Sequence, residues 1–498
     1  MDFIVQGLGQ VLSPMNLLLI AGGVFLGIVV GAIPGLTATL AISLLVPFTF
    51  SMEPIPALVL LLAIYCGGIY GGSITAILIR TPGTPGAAAT VLDGYPMGQQ
   101  GKAGEAIGIA TIGSGFGGLV SALIMIFLSP QISKLALSFS GPEYFALAVF
   151  GLSVIFSLSK DVLKGLATGV LGLIFATIGM DLITPYPRFT MGIPQLLTGL
   201  PLLPVVIGLF ALAEVFRMAE SKLKDDGDMQ KVGRVIPSKE VFKKIWSTMV
   251  RSSFIGTFIG ALPGAGANVA AFVSYNTAKK LSKTPERFGN GAEEGIAASE
   301  TSNNAVTGGA LIPMLTLGIP GDAVTAVLLS ALTIQGFQPG PLLFRDHMDI
   351  VYPIFACMLI ANIIMTIQGL SMAKFVAKIA MVSKAYLLPA VAIFAIVGSF
   401  AASGNVFEIW VALAFGFLGY VLEKLGFDVS PIVLSVILGP MMEKSLRQSL
   451  IMSKGDPTIF LTRPISAVLL IMAIVPLAWG LYKQFKANRV NTNEMQEN

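Results

Sequence analysis

The sequence predicts an all-α polytopic membrane protein with about 12 transmembrane helices (range about 11–13), at roughly 20 apolar residues per crossing. Of its 498 residues, 54% are hydrophobic and 12% are charged, whereas a soluble domain carries roughly 25% charged residues. The mean hydropathy is +0.82. Apolar runs such as residues 467–480 are long and do not alternate, which favours helices over the strands of a membrane barrel. A soluble enzyme is therefore nearly excluded.

Few residues are suited to metal or redox chemistry. Cys66 and Cys357 lie in apolar stretches, which argues against a disulfide framework or a thiolate metal site. The one histidine, His347, stands between two aspartates in a polar loop and is expected to be solvated. The sequence has no His-Glu-x-x-His pair and no Gly-x-x-x-x-Gly-Lys-Ser/Thr loop. We expect no enzyme activity, no ATP hydrolysis, no cofactor, no transition metal and, at a net charge of +4, no nucleic-acid partner.

A basic segment divides the chain. Nine Lys and Arg residues fall between Arg217 and Arg251, counting both ends, and the positive-inside rule places this linker in the cytoplasm. The first basic residue is Arg80, so no cleavable signal peptide is expected, and the N-terminus is placed outside on its Asp2 alone. These signals predict a first transmembrane repeat at 1–216, a cytoplasmic linker at 217–251, a second repeat at 252–482 and a cytoplasmic tail at 483–498.

The two halves share Gly and Pro patterns. Residues 25–35 match residues 254–264 at a constant offset of 229, with six identities that include both Pro-Gly steps. Further on, Gly71-Gly72 precedes Pro82-Gly83 as Gly308-Gly309 precedes Pro320-Gly321, now offset by 237 to 238. An internal duplication is therefore predicted. If the first half crosses an odd number of times, the repeats are inverted, as in many secondary transporters.

Pro-Gly steps beside Ser, Thr and Asn predict broken helices or re-entrant hairpins. Proline lacks an amide proton and disturbs the preceding turn, and unwound backbone is tolerated at membrane depth only where it is buried or lines a cavity. A broken helix offers amides to an anion and carbonyls to a cation. This chemistry suits an anionic solute that moves with a small cation.

The predicted site lies between residues 81–86 and residues 299–304. The candidate solute-binding residues are Thr81, Gly83, Thr84, Gly86, Ser302, Asn303, Asn304 and Gly321. The candidate cation-binding residues are Ser73, Glu300 and Thr301, with Na⁺ favoured over a proton carried by Glu300.

Other polar or small residues have simpler interpretations. Glu300 is equally consistent with an interfacial, solvated carboxylate, and Asp322 after a Pro-Gly step is typical of a helix cap. Arg80 is either a carboxylate ligand or a marker of the cytoplasmic interface. A further set recurs every four residues, a spacing typical of close helix packing: Gly23, Gly27, Gly31 and Gly35.

These motifs together resemble a known family, the large membrane subunit of the tripartite tricarboxylate transporters. The resemblance covers about residues 22–344. It is carried by Gly-Ala-Ile-Pro-Gly at 31–35, residues 72–83, Leu-Asp-Gly-Tyr-Pro at 92–96, Gly-Ala-Leu-Pro-Gly at 260–264, and the segments 283–288, 300–304, 311–321 and 338–344. Arg80 stands where we expect a small or neutral polar residue in many relatives, which puts a family-wide role for that position in doubt.

The resemblance implies a permease of the bacterial inner membrane that imports carboxylates with a cation gradient. It also implies two partners, a small membrane subunit and a periplasmic solute-binding protein. A stand-alone organic-anion symporter and an anion channel remain the alternatives. An intramembrane enzyme is disfavoured, since no His or Lys base accompanies Ser73, Ser299 or Ser302 in the sequence.

Overall fold

The chain is almost entirely helical, as predicted. A computed structural model describes residues 2–158, 161–220, 230–379, 384–401 and 403–496, so that 221–229 of the predicted linker and 497–498 of the predicted tail lie outside the described residues. Within these ranges, seven helical segments are long and apolar enough to cross a membrane, and five apolar helices are shorter. In the described ranges the only sheet is a hairpin of β1 (Gly179–Met180) and β2 (Pro187–Arg188). The prediction of an all-α polytopic membrane protein is confirmed.

The first half of the chain is built from short and long helices in alternation. Its helices are α1 (Asp2–Val11), α2 (Pro14–Ala32), α3 (Ala38–Leu45), α4 (Pro54–Leu78), α5 (Val91–Met97), α6 (Ala103–Ala136), α7 (Gly141–Leu158), α8 (Val162–Ala176), α9 (Leu202–Val206) and α10 (Ala213–Glu220). Short 3-10 helices lie at Val46–Ser51, Pro85–Ala88 and Pro194–Thr198, and π-helical turns at Gly98–Lys102 and Ile207–Leu212.

The second half has a similar alternation. Its helices are α11 (Lys239–Gly260), α12 (Gly266–Leu281), α13 (Glu293–Leu317), α14 (Ala323–Ile334), α15 (Pro341–Asp346), α16 (Met348–Ile379), α17 (Lys384–Ala401), α18 (Val406–Lys424), α19 (Ser430–Met452), α20 (Ile459–Thr462) and α21 (Pro464–Gln496), with a 3-10 turn at Pro285–Arg287.

Four helices end just before the Pro-Gly steps, which confirms the predicted breaks. The residue before a proline avoids the helical conformation, and proline has no amide to continue the ladder. Glycine then allows the turn: Gly35 and Gly264 both have positive φ, +94° and +76°. The helices concerned are α2 and α4 in the first half and α11 and α13 in the second.

The same close contacts join α2 to α4 and α11 to α13. A Cβ on Gly31 would meet the carbonyl oxygen of Gly68, and a Cβ on Gly260 would meet that of Val306 at 2.8 Å. These pairs are related by the offsets of 229 and 238 that the sequence shows. Gly31 and its neighbours at 23 and 27 therefore pack two backbones together, as their spacing predicts. Gly35 differs, because it lies in the break.

In the core, the α2–α4 pair and the α11–α13 pair lie side by side. Helices α6 and α16 pack against them, so that α13 contacts α4, α6, α11 and α12. Two outer groups flank this core, one of α7, α8, α19 and α21, the other of α9, α10, α17 and α18. Each outer group thus combines helices from both halves of the chain, and the halves do not form separate units.

The linker marks one face of the molecule, which we call the linker face. Lys244 in α11 donates to Glu293 at the start of α13 at 2.9 Å, and Arg217 in α10 lies 3.7 Å from Glu423 at the end of α18. Helices α13 and α19 therefore begin near this face. At about 1.5 Å per residue, the 23 residues of α19 extend to the opposite face, where they contact the β hairpin through Arg447.

Candidate functional site

Helices α4 and α13 cross at two buried asparagines. The Asn304 amide donates to the carbonyl oxygen of Cys66 at 3.3 Å, and the Asn303 amide donates to that of Ile69 at 3.4 Å. Cys66 and Asn304 are 238 residues apart, so they occupy equivalent positions in the two predicted repeats. Both asparagines are fully buried, and their side-chain oxygens have no hydrogen-bond partner among the described residues. Two orphaned amide oxygens at the crossing point are costly unless a ligand binds them.

Glu300 lies one turn before these asparagines on the same face of α13. Its carboxylate accepts hydrogen bonds from the hydroxyls of Thr90 and, at 3.0 Å, Ser114. Ser73 and Asn303 lie within reach of it. Because Glu300 is 0% exposed, the interpretation as a solvated interfacial carboxylate is wrong. No Lys or Arg among the described residues pairs with it, so the buried carboxylate requires either a bound cation to balance its charge or a proton to remove it.

The neighbouring polar residues face other helices, since each residue turns a helix by about 100°. The Thr301 hydroxyl faces α6 beside Gly113, and no described residue is its hydrogen-bond partner. The Ser302 hydroxyl donates within its own helix, to the carbonyls of Ala298 and Ser299 at 2.9 and 3.0 Å. The structure therefore brings Glu300, Asn303 and Asn304 together and distributes Thr301 and Ser302 to two other faces. Ser73 also bonds within its helix, to the Tyr70 carbonyl at 2.6 Å.

The glycines of the breaks allow close backbone contact. The Gly83 amide donates to the Gly72 carbonyl at 3.1 Å, and a Cβ on Gly83 would collide with the carbonyl of Gly31. In the second half, a Cβ on Gly321 would lie 2.6 Å from the carbonyl of Gly260. A different contact connects the two halves, because a Cβ on Gly86 would collide with the orphaned oxygen of Asn303. The break after α4, which we call the first break, therefore lies directly against α13.

A cavity of about 270 Å³ lies beside the first break, and we call it the break cavity. It is lined by Gly35 and residues 37–39 at the start of α3, by Thr84 and Pro85, and by Ala323 and Val324 at the start of α14. The Thr84 hydroxyl is buried and has no partner in the part of the chain that the structure describes. The first amides of α3 and α14 lack intrahelical partners by position, so the cavity has the donors that a carboxylate requires. Thr81, which is partly exposed, lies outside its lining.

Charged residues close the break cavity toward the linker face. Arg217 forms an ion pair with Glu214 and lies 3.7 Å from Glu423, and Asp428 is the fourth charged residue in the lining. The sequence places Arg217 at the edge of the linker, and Glu214 was not among the predicted site residues. A carboxylate inside the apolar run 196–216 was the signal that could have identified it.

The remaining predicted residues have clear positions. Asp322 caps α14 in a capping box with Thr325, which confirms the prediction, and it also accepts the Tyr65 hydroxyl at 2.6 Å. Arg80 is exposed, with its guanidinium 5.8 Å from the ring of Tyr95. His347 is half-buried against the ring of Phe337, and Cys66 and Cys357 are buried, free cysteines. Within the described ranges, His, Cys, Asp and Glu form no cluster of three that could hold a metal.

Residues 17–434 match the family model described as the tripartite tricarboxylate transporter TctA family. The chain belongs to this family. It is therefore a multi-pass membrane protein and a subunit of a transporter. The TctA match spans both halves, the four Pro-Gly breaks and the crossing of α4 with α13.

Two curated relatives come from Agrobacterium vitis. An uncharacterized 52.8 kDa protein in the TAR-I ttuC' 3' region is 38% identical over 484 residues, which are 97% of this chain and 96% of the relative. An uncharacterized protein in the TAR-II ttuC' 3' region is 38% identical over 234 residues, which are 47% of this chain and 97% of the relative. No solved structure matches the chain.

Proposed function

We propose that this TctA-family protein imports di- and tricarboxylates across the bacterial inner membrane by symport with Na⁺. A periplasmic solute-binding protein would supply the solute, and a small membrane subunit would complete the transporter. Family membership supports the transport function and the two partners. The observation that carries the residue-level proposal is the group of fully buried oxygens on one face of α13, directly against a broken helix.

The solute would bind in the break cavity. Its volume of about 270 Å³ equals that of about nine water molecules at roughly 30 Å³ each, which suits a small polycarboxylate. The Thr84 hydroxyl and the amides of Ala38, Thr39 and Ala323 would donate to the carboxylate oxygens. Arg217 would add charge if it left Glu214. Gly83, Gly86 and Gly321 would act by allowing the close approach of backbones, while Thr81 and Ser302 would reach the solute only after a rearrangement.

The cation would bind between the solute and α13. Hard cations such as Na⁺ prefer oxygen ligands, and Asn303 and Asn304 each have a free amide oxygen beside the Glu300 carboxylate. A cation there would neutralise Glu300 and compensate for the acidic lining of the break cavity. Solute and cation would then stabilise one another's binding, which is the thermodynamic requirement for coupled transport. Proton coupling through Glu300 is the alternative.

The test is uptake of labelled citrate by the transporter reconstituted in proteoliposomes. Asn303→Ala and Asn304→Ala should abolish Na⁺-driven uptake while expression and detergent stability are preserved. Thr316→Ala is the matched control, because this buried hydroxyl of α13 donates only within its own helix, to the Ile312 carbonyl at 2.7 Å. Normal uptake by both asparagine variants would refute the site.

A second measurement separates Na⁺ from H⁺. Uptake driven by a Na⁺ gradient at constant pH should exceed uptake driven by a pH gradient without Na⁺, and Glu300→Gln should remove the response to Na⁺. Uptake that persists without Na⁺ and collapses with the pH gradient would assign the coupling to protons. Single-channel current steps under a citrate gradient would instead identify a channel.

A further inference from the structure

A second and larger cavity, of about 680 Å³, opens at the opposite face from the linker. It lies between the loop that joins α14 to α15 and the last turns of α19, and Tyr144 at the start of α7 completes its wall. Its volume is within the range of roughly 300–1,000 Å³ that is usual for small-molecule sites. Gly318, in the break after α13, also lines it. This cavity is therefore adjacent to the broken end of α13.

The two cavities lie along the same pair of helices. Val324 of α14 and Ser430 of α19 line the break cavity, whereas Leu329 of α14 and Ile437 of α19 line the second cavity. At about 1.5 Å of rise per residue, the separations are about 8 Å along α14 and about 10 Å along α19. The intervening residues of both helices are buried and, apart from Thr325 and Ser435, apolar, so a short packed barrier divides the cavities.

The second cavity has a positive charge and no acidic lining residue. Lys444 is its one charged lining residue, and no hydrogen bond or ion pair joins its amine to any residue that the structure describes. The acidic groups nearby are already paired. Glu443 is bound by Arg188 at 2.7 and 3.1 Å and by Arg447 at 3.2 Å, and Arg447 also binds Asp181 at 2.6 Å.

The break cavity has the opposite charge balance. Three carboxylates and one arginine line it, so a free anion meets a net negative lining there. In the second cavity the same anion meets an unpaired ammonium group, together with donors from the side chains of Gln338, Gln448 and Tyr144. Opposite charge in a cleft raises the local concentration of an ionic solute. An arriving carboxylate is therefore expected to accumulate first at Lys444.

We propose that the second cavity is the entry vestibule for the carboxylate and that Lys444 binds it there before it reaches the break cavity along α14 and α19. The inference rests on the proposed function, since it assumes a carboxylate solute. With the linker in the cytoplasm, the vestibule faces the side from which a periplasmic binding protein would release its solute. The two sites are chemically distinct, because the vestibule holds the anion with a flexible ammonium group and the break cavity with amides and hydroxyls.

The direct test is protection of Lys444 from acetylation, measured by mass spectrometry on the purified transporter in phosphatidylcholine nanodiscs. Lys444 is exposed, and citrate should slow its acetylation about two- to five-fold, the range for an exposed ion pair. Lys134 is the matched control, since it is exposed at the end of α6 and does not line the cavity. Equal protection of both lysines, or protection of neither, would overturn the proposal.

A transport measurement provides a second test. Lys444→Gln should raise the half-saturating citrate concentration about two- to five-fold with little change in maximal rate. Lys444→Arg should restore it, and Lys134→Gln should have no effect. An unchanged half-saturating concentration in Lys444→Gln would contradict the vestibule. That result would leave the proposed function intact, because the proposed function depends on Asn303 and Asn304. Conversely, normal uptake by Asn303→Ala and Asn304→Ala would leave the effect of Lys444→Gln intact.

A phospholipid headgroup has the same anionic oxygens and is the other possible source of the ligand. Nanodiscs that contain phosphatidylglycerol separate the two. If citrate protects Lys444 in both membranes, the site belongs to the solute. Protection by phosphatidylglycerol alone, with no effect of citrate in either membrane, would assign the cavity to lipid and overturn the proposal.

Discussion

Asp93 connects the first break to the start of α13, and its removal should loosen that connection. The residue lies in α5, which follows the break, and it is fully buried. One of its carboxylate oxygens accepts three backbone amides, from Gly289, Gly291 and Ala292, at 2.8, 2.9 and 2.8 Å. These amides directly precede α13, where a negative charge is also favoured by the helix dipole. Asp93→Ala would leave all three donors without their acceptor.

The size of the effect follows from these contacts. Losing the acceptor of buried, charge-assisted hydrogen bonds costs about 3–5 kcal/mol. If this loss lowers the free energy of local opening of residues 289–292 by only about 3 kcal/mol, their amides exchange about 100-fold faster, at 1.4 kcal/mol per factor of ten. Asp93→Asn keeps an oxygen acceptor but loses the charge, so about a ten-fold increase is expected. Hydrogen exchange measured by mass spectrometry can follow this segment.

The same experiment contains its control. Exchange in the middle of α13, at residues 306–316, should stay unchanged because those amides bond within the helix. Citrate uptake should fall in Asp93→Ala and recover partly in Asp93→Asn, since the first break and α13 form the two sides of the proposed site. Unaltered exchange at residues 289–292 in Asp93→Ala would refute the reasoning.

Three further outcomes are expected. Gly31→Ala should destabilise the detergent-solubilised protein by about 1–3 kcal/mol through overpacking, whereas Gly22→Ala, with open space around it, should have little effect on thermal unfolding. Cys66 and Cys357 are buried, so maleimide should label them only after denaturation, and labelling of the native protein would contradict this. Hairpin amides and a neighbouring guanidinium lower the pKa of Asp181, so its contribution to stability is complete above its unfolded pKa and is lost as the pH falls toward its folded value. Protection of the hairpin amides, taken relative to the intrinsic exchange rate at each pH, should therefore fall below about pH 4, and Asp181→Asn should lack this protection already at pH 7.

Local chemistry explains what could be predicted at the breaks. Each Pro-Gly step acts on its own turn, so the ends of α2, α4, α11 and α13 could be located from sequence. The packing of Gly31 was also predictable, because small residues at a spacing of four form one face of any helix. The cap at Asp322 depends on Thr325 three residues later, which is again a local relation.

The candidate site could be predicted only in part, because helix rotation decides which side chains meet. Five consecutive residues from Glu300 to Asn304 have similar polarity in the sequence, yet Ser302 bonds within its own helix and Thr301 faces α6. The solvated interpretation of Glu300 was plausible from its position in the sequence. It is wrong because hydroxyls from α6 and from the turn before α5 enclose the carboxylate.

The sequence by itself determined the membrane class and the positions of the breaks, and it predicts the duplication. These depend on composition and on contacts within a few residues, which act wherever the helix lies. The tertiary structure alone decided that Thr84, Arg217 and Val324 line one cavity and that Lys444 stands unpaired in another. Those arrangements join helices from both halves of the chain, and their geometry arises only when the helices pack.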